Sequence, residues 1–209
     1  MEGTVSNVEV CNYAFTGQLD KLRQCILSDK TLAFKTDQDH RTALHWACSA
    51  GHTDIVEFLL DLGVEVNLQD DASWSPLHIA ASAGRDEIVR TLISKGAQLN
   101  SVNQNGCTPL HYAASKDRYK LLLKQSASTN IQDSQGNTAL YVTLSVLRRS
   151  PVQSLFPELH LACDEERVEA AKLLVEHGAS IYIENKEEKT PLQIAKGGLG
   201  NILRRIIEG

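Results

Sequence analysis

Apolar residues along this 209-residue chain fall into short helical patterns that return at a fixed interval. Leu44, Ala47 and Cys48 have the i, i+3, i+4 spacing of a helix with one apolar face, and Ile55, Val56, Leu59 and Leu60 repeat it in the next segment. Both patterns then recur. Leu44-His-Trp-Ala-Cys-Ser-Ala-Gly51 aligns with Leu77-His-Ile-Ala-Ala-Ser-Ala-Gly84, and Asp54-Ile-Val-Glu-Phe-Leu-Leu60 with Glu87-Ile-Val-Arg-Thr-Leu-Ile93. A phrase heads each pair: Thr42-Ala-Leu-His45, Ser75-Pro-Leu-His78 and Thr108-Pro-Leu-His111 start 33 residues apart, and Pro157-Glu-Leu-His160 and Thr190-Pro-Leu-Gln193 keep that spacing. Two short amphipathic helices per 33 residues predict stacked modules that bury their apolar faces on one another, not one globular core.

These strings resemble ankyrin repeats. The resemblance implies that each unit is a β-turn finger and two antiparallel helices, with a partner lying across the fingers and first helices. The fold expected is an all-α ankyrin-repeat solenoid of about five to six units, a single domain over residues 1–209. Residues 5–36 form an N-terminal cap, in which Val10-Cys-Asn-Tyr-Ala-Phe-Thr-Gly17 matches Leu44 to Gly51 without the heading phrase. Full repeats follow at 42–74 and 75–107, each closed by a glycine step, Gly63-Val64 and Gly96-Ala97, suited to a left-handed helix end. Turn formers in Asn103-Gln-Asn-Gly106 and Asp133-Ser-Gln-Gly136 supply the fingers.

Two departures break the period. From Thr108 to Thr138 the spacing is 30, because Asp117-Arg-Tyr-Lys120 runs straight into Leu121-Leu-Leu-Lys124. Three missing residues shorten a helix by about 4.5 Å and turn its downstream face by roughly 60°, so the shortened repeat at 108–137 is the expected weak joint. The stretch from Tyr141 to Glu158 matches no repeat as a whole: its first half can imitate a first helix, but Pro151 and Pro157 bar a continuous second one. It is therefore expected as a poorly packed irregular segment over 138–158, followed by a repeat at 159–189 and a C-terminal cap at 190–209.

Composition narrows the chemistry. A formal net charge of −5 and a pI near 5.8 argue against general attraction to nucleic acid or anionic membrane. No apolar stretch reaches the roughly 20 residues of a membrane span, and Met1-Glu-Gly-Thr-Val-Ser-Asn7 has neither a basic start nor an apolar run. The expected location is cytoplasm or nucleus. Five cysteines, with Cys48 where later repeats have Ala81 and Ala114, read as small buried thiols, not a disulfide framework. His45, His78, His111 and His160 occur one per repeat and cannot converge on a metal. Lys196-Gly-Gly-Leu-Gly200 follows no strand, and no nucleophile, base and orienter set is visible. No enzyme, cofactor or metal is expected.

Longer strings narrow the resemblance. Arg41 to His52, Trp74 to Val89, Val102 to Lys116 and Tyr182 to Gln193 resemble the gankyrin family, the ankyrin-repeat non-ATPase regulatory subunits of the proteasome. The likeness covers 1–118 and 127–209 apart from the foreign stretch at 141–158, with about one repeat missing near 119–126. An altered transcript or a faulty gene model would account for both. The resemblance implies a chaperone for assembly of the proteasome regulatory particle that holds the C-terminal domain of an ATPase subunit on its concave face. It also implies binding to a cyclin-dependent kinase, the retinoblastoma protein and a ubiquitin ligase. The partner-binding positions it implies are Asp39, Arg41, Trp46, Asp71, Trp74, Ile79, Arg85, Tyr112, Lys116 and Arg118.

Residue spacing independently favours part of that set. Trp46, Ile79 and Tyr112 follow the Leu-His pair in three successive repeats, so stacking would align them in a stripe bordered by Arg41, Arg85 and Lys116. The plainer alternative is that these side chains shield neighbouring helices and that the charges are solvated groups worth under about 1 kcal/mol each. Leu161, Cys163 and Glu165 spell the Leu-x-Cys-x-Glu motif of retinoblastoma-pocket ligands. Read as a repeat, the same residues are a buried first helix that would have to open to bind. Two functions thus stand against each other: a proteasome assembly chaperone, and a regulatory adaptor for a kinase and the retinoblastoma protein. A nonproductive chain folded only through residue 118 is a third.

Overall fold

The computed structural model describes residues 7–115, 120–149, 168–195 and 198–208, which fall in two compact units, Met1–Gln104 and Asn105–Gly209. In chain order the first unit holds α1 (Asn7–Phe15), α2 (Leu19–Ser28), a 3-10 turn (Lys30–Phe34), α3 (Ala43–Ala50), α4 (Thr53–Asp61), α5 (Pro76–Ala83) and α6 (Asp86–Ser94). The first helices α1, α3 and α5 pack side by side, and α2, α4 and α6 each back the helix before them. Between the layers Leu22, Leu44, Ile55, Leu59, Leu77, Ile88 and Leu92 are fully buried, matching the apolar spacing of the sequence.

Among the described residues the heading phrases work as helix starts. Ser75 caps α5 through its hydroxyl, Pro76 supplies a preset φ at the first helical position, and Gly84 at φ 68° ends the helix. The Leu-His histidine closes the cap from the other side. Nδ1 of His45 lies 3.2 Å from the Thr42 N–H, which can only donate, so the ring proton sits on Nε2 and is donated to the Leu68 carbonyl at 3.0 Å. One buried imidazole thereby ties a helix start to the loop that follows the next helix. Gln193 does part of this at the C-terminal end, where its Oε1 accepts the Thr190 N–H.

The fingers repeat one device. Asp37, Asp70, Asp133 and Asn185 each use Oδ1 to accept two backbone N–H groups, two and four residues on, at 2.8–3.0 Å. Successive fingers are then bridged by single backbone bonds, Asp71 N–H to the Asp39 carbonyl and Gln104 N–H to the Ala72 carbonyl in the first unit. In the second, Ser134 donates to Asn105 and Lys186 to Gln135. A Cβ on Gly106 would come within 2.8 Å of the Ser134 nitrogen, so only glycine admits that close approach.

The second unit contains α7 (Pro109–Ser115), α8 (Lys120–Lys124), α9 (Ala139–Arg149), α10 (168–176), α11 (Pro191–Ile194) and α12 (Leu199–Glu208). Of α8 the described residues are Lys120–Lys124, beside nine-residue α4 and α6 in the first unit. The irregular segment expected at 138–158 is corrected over its first part: α9 is a regular helix that packs between α7 and α11 as a first helix. Leu140, Thr143 and Leu144 are buried there, and their i, i+3, i+4 spacing gives the helix one inward face. The rest of the stretch lies outside the described residues.

Loop bonds measure the insertion. In the first unit Asn67 donates to the Gly96 carbonyl 29 residues on and accepts the Gln98 N–H. In the second unit Asn130 makes the same pair of bonds to Gly178 and Ser180, the first spanning 48 residues. The unit that follows the 133–137 finger is therefore nineteen residues longer than a regular one.

Candidate partner-binding site

The first unit gathers seven of the predicted positions. Arg41, Asp39 and Asp71 come from the fingers, Trp46 from α3, Trp74 from the second finger's end, Ile79 from α5, and Arg85 from the turn into α6. Trp46 stands half-buried between two hollows. One, of 260 Å³, is lined by Arg41, His45, Trp46, Ser49, Trp74, Ile79, Ser82 and Ala83. The other, of 190 Å³, is lined by Val8, Cys11, Asn12, Phe15, Asp37 and Trp46. Small side chains in the first hollow let a partner approach closely, and the exposed Val8 and Phe15 extend the apolar surface onto α1.

Arg41 is less free than its sequence position suggests. Its Nε donates to Asp70 Oδ2 at 2.8 Å, and its guanidinium stacks over the Trp46 ring at 5.3 Å. Asp70 is buried. Burial raises its pKa, but the Trp74 N–H, the Arg41 guanidinium and the Ala72 N–H outweigh that, and the carboxyl sits below its usual range. Arg41 therefore braces two successive fingers while showing a partner its remaining N–H groups. Arg41→Glu would set a second carboxylate against Asp70 and test folding as much as binding.

The other positions divide. Ile79 is buried, so it floors a hollow instead of projecting from a stripe. Trp74 is half-buried, its ring tilted against His78 with centroids 6.0 Å apart. Asp39 is exposed, as is Asp71, whose carboxylate meets His40 at 2.8 Å in a pair open to solvent. Arg85 reaches back to the Ser49 carbonyl at 3.3 and 3.4 Å, covering the end of α3. Tyr112 is half-buried on α7 of the second unit. Lys116 and Arg118, and the Leu161, Cys163 and Glu165 motif, lie outside the described residues. Sequence reasoning missed Asp37, Asp70, Val8 and Phe15. The recurring Asp or Asn at the first finger position would have signalled two of them.

Chemistry beyond binding finds little support in the groups described. Among the described residues there is no group of three or more His, Cys, Asp or Glu side chains placed to hold a metal ion. Burial pushes the Cys48 thiol up, and burial with the nearby Asp37 charge pushes Cys11 up to about 12, so both stay neutral and inert. Among the described residues no helix is long and apolar enough to cross a membrane.

Comparison with known proteins agrees with this architecture. The family described as Ankyrin repeats (3 copies) matches residues 11–103 and 77–156, and the single Ankyrin repeat matches 158–186. The chain belongs to the ankyrin-repeat family. It is 71% identical over 76 residues to the 26S proteasome non-ATPase regulatory subunit 10 of Rattus norvegicus, a match covering 36% of this chain and 33% of that protein. The Homo sapiens protein of the same name is 70% identical over 76 residues, 36% of this chain and 34% of that one. The probable 26S proteasome regulatory subunit p28 of Saccharomyces cerevisiae is 32% identical over 75 residues, 34% and 33% of the two chains. The matched stretch spans about a third of the length of these relatives.

Proposed function

We propose that this chain is a protein-binding chaperone for assembly of the proteasome regulatory particle, holding the C-terminal domain of an ATPase subunit against the face built around Trp46 and Trp74. The observation that carries the reading is the half-buried, pinned Trp46 between two hollows, an aromatic anchor of the kind that dominates binding energy. The names of the relatives supply the proteasome. The role is exercised in cytoplasm and nucleus, without cofactor or metal.

Calorimetry with the purified C-terminal domain of the proteasomal ATPase tests it. The chain should bind, and Trp46→Ala should weaken binding by about 2 kcal/mol, roughly 30-fold, with the helical circular dichroism retained. A folded chain that shows no heat of binding would rule the chaperone reading out. Capture of a cyclin-dependent kinase or the retinoblastoma protein would then put the adaptor reading in its place.

A further inference from the structure

Asp37 is shared between the first finger and the binding face. Its Oδ1 accepts the N–H groups of Asp39 and Arg41, both at 2.9 Å, as Asp70, Asp133 and Asn185 do in their fingers. Its Oδ2 accepts the Trp46 indole Nε1–H at 2.8 Å. In the three other fingers with described bonds the second atom stays within the finger system: Asp70 Oδ2 takes Arg41, Asp133 Oδ2 takes Asn137, and Asn185 Nδ2 donates to Asn137. Asp37 alone of these four sends it to an aromatic ring of a first helix.

Two further contacts complete the hold. Phe15 meets the Trp46 ring edge-on, with centroids 5.7 Å apart and planes at 87°, and the Arg41 guanidinium lies over a face. A hydrogen bond at the indole nitrogen, an edge contact and a cation on the face together fix both side-chain torsions of a ring that remains half-exposed. Cys11, which lines the hollow on the Asp37 side, turns its thiol to the Arg41 carbonyl at 3.7 Å and does not compete with the indole for the Asp37 carboxylate.

We propose that Asp37 is the positioning residue of the binding face, holding the Trp46 indole in its bound orientation before any partner arrives. A ring ordered in advance spares the partner the cost of immobilising it. The inference rests on the binding role proposed for this face, and deepens it by naming the residue that sets the anchor.

Asp37→Asn separates the two jobs. An amide oxygen closes a finger equally well, since Asn185 Oδ1 accepts the Glu187 and Lys189 N–H groups at 3.0 Å. The amide nitrogen, however, would face the indole N–H donor to donor. Nitrogen-15 spectra of the full chain, with the Trp46 indole signal assigned from Trp46→Phe, should show that signal moving upfield and exchanging faster in Asp37→Asn. The Trp74 indole signal and the Asp39 and Arg41 amides should stay in place. Affinity for the proteasomal ATPase C-terminal domain should fall by roughly 3- to 10-fold, and Asp37→Asn should add nothing further in a Trp46→Phe background.

An unmoved Trp46 indole signal would overturn the proposal. So would an equal loss of affinity in the Trp46→Phe background, because the effect would not pass through the indole, or full affinity with a displaced indole. If the unaltered chain fails to bind the ATPase domain, the chaperone reading falls, and the indole signal decides by itself whether Asp37 positions Trp46.

Discussion

At the scale of single residues, buried polar groups set the conditions under which this chain folds. His45 is buried and accepts a backbone N–H through Nδ1, and burial lowers its pKa from 6.5 to about 4. Between those values the unfolded chain binds a proton that the folded chain refuses, so stability falls as pH drops from about 6.5 and is lower by about 3 kcal/mol near pH 4 from His45 alone. His111 is lowered by the same cause and adds to the loss. Asp70 works in a separate window: its depressed pKa gives stability that is present above 3.8 and lost only below it. Urea midpoints at pH 7, 5.5 and 4.5, read from tryptophan emission, should therefore decline together with pH; a constant midpoint would refute the neutral buried imidazole. Ser126 offers a second test. It sits at φ 61° where Gly63, Gly96 and Gly178 occupy the matching helix ends at φ 84–88°. The left-handed region costs an L-residue roughly 1–2 kcal/mol, partly offset by the greater freedom of glycine in the unfolded chain. Ser126→Gly should stabilise the second unit by about 0.5–1 kcal/mol in a urea melt followed by circular dichroism.

At the scale of elements, the helix α9 shows how apolar spacing fills a place in the stack without the full repeat phrase. Its sequence departs from the repeat phrase at Tyr141, where His45, His78 and His111 stand in earlier repeats, yet Leu140 and Leu144 are buried one turn apart. Leu144→Ala should cost the second unit about 2–4 kcal/mol, as for any well-packed core leucine. A silent substitution would mean that another segment fills the place beside α7. The fingers make a complementary point. Four of them depend on one Asp or Asn oxygen each, and the turn vocabulary of Asp, Asn and Gly was legible in the sequence. That Asp37 also reaches Trp46 was not, because the bond joins residues nine apart across a turn whose direction depends on the closed finger.

At the scale of the whole molecule, the two units differ in how well each follows the repeat. The second carries the 30-residue spacing from Thr108 to Thr138, the Ser126 helix end, a tyrosine in the histidine place and a nineteen-residue insertion. Repeat stacks are held by nearest-neighbour interfaces, and cooperativity fails where one is weakened. Both tryptophans, Trp46 and Trp74, belong to the first unit, so their emission reports that unit while circular dichroism reports both. The second unit should unfold at lower urea, giving a circular dichroism transition that precedes the fluorescence transition; coincident curves would show a single cooperative fold. The sequence by itself determined the repeat, the two helices per unit, the helix starts and ends, and the presence of Trp46 on a first-helix face. Those features follow from local spacing, capping chemistry and backbone conformation, which act within a few residues. The tertiary structure decided what distance in the chain conceals: that Arg41 is committed to the buried Asp70, that Ile79 is floor and not ridge, and that Asp37 holds the indole. Each depends on groups brought together only when neighbouring modules close on one another, and a periodic sequence specifies that closure without showing which side chains will meet.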